Sequence, residues 1–117
     1  MAHKLSAEDS EVLLARMAAV LDRHAAQRRT LTYLELADAI AMPGPQRIHR
    51  TTRLLEILMK RDAEAGRPIR SALAVSRVGR SLPAEGFFDR ARRLGLFDGQ
   101  DPLHCHARLL AAVFGKE

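Results

Sequence analysis

The residues most capable of chemistry lie between positions 46 and 53, where Gln46, Arg47, His49, Arg50 and Arg53 fall within about two turns of a helix. This set suits contact with a nucleic acid duplex. Arginine pairs bidentately with guanine, glutamine with adenine, and the remaining cations grip phosphates. Arg77 and Arg80 sit on either side of Gly79, where an exposed arm would add phosphate contacts. Low aromatic content, 4% with Tyr33 as the sole tyrosine and no tryptophan, argues against single-strand or RNA recognition, which stacks bases on exposed rings.

Other chemical groupings are weaker. His104-Cys105-His106 has metal-binding residue types, but neighbours on a helix lie about 100° apart and cannot converge on one ion. The expectation is a partly buried cysteine flanked by surface histidines. Ser71, Ser76 and Ser81 have no accompanying His/Asp spacing. Arg70, Arg77 and Glu85 form the grouping that an enzyme of this sequence would use. The chain has no phosphate loop and no metal-ligand spacing. The sequence thus points to binding rather than catalysis, with no cofactor, no metal and no catalytic residue expected.

The charge distribution supports a polyanionic partner. Residues 43–93 hold 12 Lys/Arg and 5 Asp/Glu, an excess of +7, whereas 1–42 and 94–117 each carry −1. The whole basic excess therefore sits in the middle of the chain, and segregated charge of this kind can form a polyanion-attracting patch. With 117 residues, 47% hydrophobic, the chain fits one domain of the usual size, about 100–150 residues. No stretch reaches the roughly 18 apolar residues of a membrane span. A lone cysteine and the absence of a signal-like N-terminus suggest the cytoplasm.

The elements that must position these residues follow from caps and periodicity. Ser6 caps a first helix whose apolar stripe runs through Leu13, Met17, Val20 and His24, with Leu14, Ala18 and Leu21 beside it. Thr32 and Glu35 spell a capping box, and Leu31 can staple against Leu36. Met42-Pro43-Gly44 breaks this second helix, and Pro45 suits the first position of a third. That third helix is expected over 45–65, with Ile48, Thr51/Thr52, Leu55 and Leu58 on one side and Gly66 ending it. Residues 69–78 read as an extended segment, with Ile69, Leu73 and Val75 on one face and Arg70, Ala72, Ala74 and Ser76 on the other. Helices are then expected over 85–94, with Phe87, Phe88, Ala91 and Leu94 on its apolar side, and over 102–114. The last starts from Asp101 and Pro102 and buries Leu103, Ala107, Leu110 and Phe114.

Thr32-Tyr33-Leu34-Glu35-Leu36-Ala37, followed by Met42-Pro43-Gly44, resembles the Tyr-Gly-Glu-Leu-Ala…Gly-x-Pro opening of the DNA-binding domain of alkylguanine-DNA alkyltransferases and alkyltransferase-like proteins. The resemblance implies a winged-helix fold that uses the second helix of its motif on DNA. Where that family carries Pro-Cys-His-Arg, this chain has Arg67-Pro68-Ile69-Arg70-Ser71, so the resemblance carries no alkyl-accepting cysteine with it. The stretch from Gly66-Arg67-Pro68 to Gly86-Phe87-Phe88 also resembles small bacterial proteins, which implies a fold and no activity.

The combined expectation is a single, mainly α, winged-helix-like helix-turn-helix domain with one or two short strands and a C-terminal helix. Its helix-turn-helix segment spans 32–65 and its wing-like segment 69–83. It would bind double-stranded DNA through Gln46, Arg47, His49, Arg50, Arg53, Arg77 and Arg80. The alternatives are a helical protein-interaction module, with a homodimer face on helix 102–114, and an enzyme centred on Arg70, Arg77 and Glu85.

Overall fold

The computed structural model describes residues 5–77 and 82–115. Helix α1 (Ala7–Ala26) starts at Ser6, whose hydroxyl accepts the Asp9 N–H at 3.0 Å. It buries Leu13, Leu14, Met17, Val20 and Leu21, a heptad-like stripe with polar residues opposite. Strand β1 (Leu31–Thr32) leads directly into α2 (Tyr33–Ala39) through a complete capping box. The Thr32 N–H donates to Glu35 Oε1 at 2.8 Å, and the Glu35 N–H donates to Thr32 Oγ1 at 3.1 Å. Leu31 and Leu36 are both buried in the same core cluster, as a staple requires.

Helix α3 (Arg47–Glu64) starts two residues later than the proline suggests. Gln46 occupies its N-cap in a left-handed conformation, φ 59° and ψ 48°, so Pro45 belongs to the turn and not to the helix. At its other end Gly66 adopts φ +71°, the left-handed geometry that closes helices at low cost for glycine. The buried side of α3 consists of Thr51, Leu54, Leu55, Leu58, Met59 and Asp62. Ile48, expected on that side, is 48% exposed. Seven-residue α2 is too short to cover the first turn of α3.

The segment after Pro68 also departs from the expected pattern. Instead of an alternating strand it forms a 3-10 helix (Arg70–Leu73) and then β2 (Ala74–Val75). Strand β2 pairs in parallel with β1, Leu31 opposite Ala74 and Thr32 opposite Val75. Ile69, Ser71, Ala72, Leu73, Ala74 and Val75 are all buried, so 69–75 is an internal element and not an exposed arm. Alternation fails because the small Ala72 and Ala74 let both sides be covered. The polar atoms of the segment find internal partners, and Ser71 Oγ donates to the Leu55 carbonyl at 2.8 Å.

Helices α4 (Glu85–Arg93) and α5 (Pro102–Phe114) complete the described fold. Asp101 caps α5 by accepting the His104 N–H at 3.2 Å. Its buried face is Cys105, His106 and Leu109, with Leu110, Val113 and Phe114 half-buried, while Leu103 and Ala107 are exposed. The face is rotated from the expected one because His106 is interior, 6% exposed. Its Nε2 lies 2.8 Å from the Ala72 carbonyl oxygen; a carbonyl only accepts, so this nitrogen carries the proton.

Two apolar clusters result. The larger joins α1, α2, the middle of α3 (Leu54, Leu55 and Leu58) and the Leu73-Ala74 segment. The smaller gathers Met59, Ile69, Ala72, Phe87, Ala91, Cys105 and Leu109. Leu110 packs against both. Among the described residues no helix is long and apolar enough to cross a membrane.

Two polar features inside this core have measurable consequences. Asp62 is fully buried, and its carboxylate accepts from Arg67 Nε at 3.1 Å and from Arg70 Nη2, Nε and N–H at 2.8, 3.1 and 3.2 Å. Asp62→Ala leaves the largely buried Arg70 with only the longer, exposed contact to Asp22 at 3.3 Å and should cost about 3 kcal/mol in chemical unfolding. Thr51 Oγ1 is buried with no hydrogen-bond partner among the described residues. Thr51→Val removes an unsatisfied hydroxyl and keeps the side-chain shape, so it should leave stability unchanged or raise it by about 1 kcal/mol. A marked loss in thermal melting would contradict that account.

Candidate nucleic-acid interface

Helix α2, the turn 40–46 and the first half of α3 form one bracket. The α2 end is held from α1 by Arg16 Nη1, which donates to the Ile40 carbonyl at 3.1 Å. The Met42 N–H donates to the Ala37 carbonyl at 2.9 Å, and the Met42 side chain is buried. The turn therefore has both a backbone tie and an apolar anchor in the core.

Arg47 and Arg50 complete the bracket from the α3 side. Arg47 Nε donates to the Met42 carbonyl at 2.8 Å, and its Nη2 meets Asp38 Oδ1 at 2.7 Å. Arg50 Nη1 lies 3.2 and 3.3 Å from the carbonyl oxygens of Pro43 and Gly44. Two of the residues expected to read bases thus lock α3 to the turn before it. Gln46, His49 and Arg53 project into solvent. Among the described residues Arg53 makes no ion pair or hydrogen bond.

An open groove of about 710 Å³ runs along the tip of this bracket, lined by Leu34, Gly44, Pro45, Gln46, Arg47, Ile48 and His49. Its apolar members include Leu34 and Ile48, 39% and 48% exposed. Sequence spacing gives no warning of this, because Ile48 stands three residues before the buried Thr51 and seven before Leu55. Further along α3, Arg53, Glu56, Ile57, Lys60, Arg61 and Glu64 line a second, charged concavity together with Arg90. Glu56 is engaged there by Arg90 Nη2 at 3.3 Å. Lys60, exposed on the same concavity, was not among the expected contacts and has no ion-pair partner among the described residues.

The basic middle of the chain is partly neutralised by carboxylates from the first third. Glu11 binds Arg61 at 2.7 Å, Asp22 binds Arg70 at 3.3 Å and Asp38 binds Arg47 at 2.7 Å. Arg61 and Glu11 hold each other charged, mainly through their two hydrogen bonds, which raise the arginine pKa and lower the glutamate's. Arg77 is exposed just beyond β2, and Arg80 lies outside the described residues. Arg70, the centre of the expected enzymatic grouping, is occupied by Asp62 and Asp22, while Glu85 is exposed in the first turn of α4.

The His104-Cys105-His106 side chains diverge, as helical neighbours should. His104 is exposed and His106 is interior, which corrects the expected surface position of the latter. Cys105 Sγ is buried 3.7 Å from the Leu96 carbonyl, and burial pushes its thiol pKa up. The thiolate is the reacting form, so a disulfide reagent at neutral pH should label the native protein far more slowly than the unfolded chain. The native rate should climb with pH. Equal rates for native and unfolded protein would place Cys105 at the surface.

No family model, no curated protein and no solved structure matches the chain.

Proposed function

We propose that this protein binds double-stranded DNA, with the N-terminal half of α3 laid against the duplex and Arg53, Lys60 and Arg77 on phosphates. The observation that supports it most is the clamped bracket. The turn is held from α3 by Arg47 and Arg50 and from α2 by the Met42–Ala37 backbone bond, and Gln46, His49 and Arg53 are presented on an exposed face beyond it. A helix held in this way can enter a groove without ordering itself on contact, which lowers the entropic cost of binding. The reading keeps the helix-turn-helix expectation and shifts the labour within it. Arg47 and Arg50 build the platform, while Gln46, His49 and Arg53 meet the nucleic acid. Residues 69–75 are interior, so of the expected wing-like cations the one described residue available to DNA is Arg77, exposed beyond β2. A cytoplasmic, DNA-associated role in a bacterial cell fits this reading.

The test is equilibrium binding to a mixed-sequence duplex across a salt series. About four or five phosphate contacts should give a log–log slope of roughly −3.5 to −4.5. Arg53→Gln and Lys60→Gln should each flatten that slope by about 1 and weaken all sequences alike. Absence of binding at low salt, with both variants folded and indistinguishable from the parent, would overturn the proposal.

A further inference from the structure

The tip of the bracket carries an unusual composition for a surface. Leu34 from α2 and Ile48 from α3 both line the groove and expose much of their apolar surface to water. Exposed isoleucine in a first helical turn gains nothing from propensity, since β-branched side chains are only moderate helix formers. Nor does it gain from burial here. Beside these two residues stand Gln46, whose side chain makes no capping bond, and the exposed imidazole of His49.

The chemistry of the major groove gives this combination a partner. Thymine alone among the four bases presents an apolar group there, its C5 methyl. Adenine presents the N6 donor and N7 acceptor that a glutamine amide matches bidentately. Guanine is read chiefly by arginine, and the arginine nearest the groove has its Nε and Nη2 committed to Met42 and Asp38. The groove therefore offers an apolar surface and an amide, and withholds one edge of its guanidinium fork. Arg53, exposed one turn beyond His49, complements the flanking phosphates.

We infer that this groove is a major-groove reader of A·T pairs, with Ile48 and Leu34 seated on thymine methyl groups and Gln46 on the adenine edge. The inference rests on the DNA-binding reading and goes beyond it by naming the base pair and the residues that select it. Ile48 is the specificity-determining residue, because it is the more exposed of the two and lies beside Gln46 on the helix that enters the groove.

The experiment compares three duplex polymers of equal charge: alternating dA–dT, alternating dA–dU and alternating dG–dC. Uracil lacks only the C5 methyl, and the minor grooves of the first two present the same groups. The dA–dT duplex should bind tighter than dA–dU, by about four-fold for each methyl covered, and dG–dC should bind weakest. Ile48→Ala should cut the difference between thymine and uracil by about four-fold, and Leu34→Ala/Ile48→Ala should erase it, with the salt slope and the melting temperature near those of the parent. Gln46→Ala should reduce the preference for dA–dU over dG–dC. Equal affinity for dA–dT and dA–dU overturns the inference while leaving DNA binding intact, as does an Ile48→Ala protein that prefers thymine as strongly as the parent. Failure to bind any of the three polymers removes the DNA-binding reading itself, and the inference with it.

Discussion

A fully buried carboxylate, Asp62, sets the terms for the middle of this molecule. Removing an ionised group from water costs several kcal/mol unless donors replace the solvent. Here the replacements come from one stretch of chain, the guanidinium of Arg67 and both the guanidinium and backbone N–H of Arg70. The residues after Pro68 are thereby pulled against the last turn of α3. Once there, Ser71 satisfies the Leu55 carbonyl and Ala72 receives the His106 ring. The 3-10 helix becomes the piece against which α1, α3 and α5 all pack. Each of these bonds depends on the same positioning of residues 69–73, so the interior polar contacts form a connected set. Connected buried networks of this kind specify one arrangement among many that hydrophobic burial alone would permit.

The same logic governs the surface. Arginine excess in the middle of the chain does not translate directly into free positive charge, because Glu11, Asp22 and Asp38 reach across from the first third to meet Arg61, Arg70 and Arg47. Two of these contacts tie α1 to α3 and to the 3-10 helix. The third braces α2 against α3. Such exposed pairs contribute little individually, but Arg47 also bonds a turn carbonyl, so its pairing with Asp38 holds a defined rotamer. The charge of this middle stretch left without an ion pair among the described residues is smaller than the linear sequence implies, and it lies at Arg53 and Lys60 on α3, at Arg77 beyond β2 and at Arg92 and Arg93 at the end of α4.

How much was legible in the sequence follows from the range of the interactions involved. The caps are local, spanning three residues, and Ser6, Thr32 with Glu35, and Asp101 all act as their spacing dictates. The mainly helical fold with a small strand pair and a C-terminal helix follows from those caps and from 3.6-residue periodicity. The failures sit where distant partners decide. Pro45 fits a helix start locally, yet Gln46 behind it takes a left-handed backbone in the turn. Residues 69–75 alternate like a half-exposed strand, yet Asp62, β1 and α5 cover both sides. His106 looked like a surface residue until a carbonyl 34 positions away accepted its proton. For the candidate interface, the segment was identifiable from charge and turn chemistry, but the division of labour among its arginines was not. Only three-dimensional placement separates a guanidinium facing a turn carbonyl from one facing water.

That division bears on what a groove-reading surface requires. Base discrimination depends on holding side chains within a fraction of an ångström of their partners, and a loose platform loses it before it loses affinity. In this bracket the long, entropically expensive arginines nearest the turn are spent on rigidity, and Gln46, Ile48 and His49 are left exposed beside them. Isoleucine has a strongly restricted χ1 in a helix, so an exposed Ile48 presents its methyl groups in a near-fixed direction. Leu34 is set by a helix whose first turn is closed by a reciprocal capping box. The apolar exposure at the tip is thus restrained on both sides, by the capping box under Leu34 and by the restricted χ1 of Ile48.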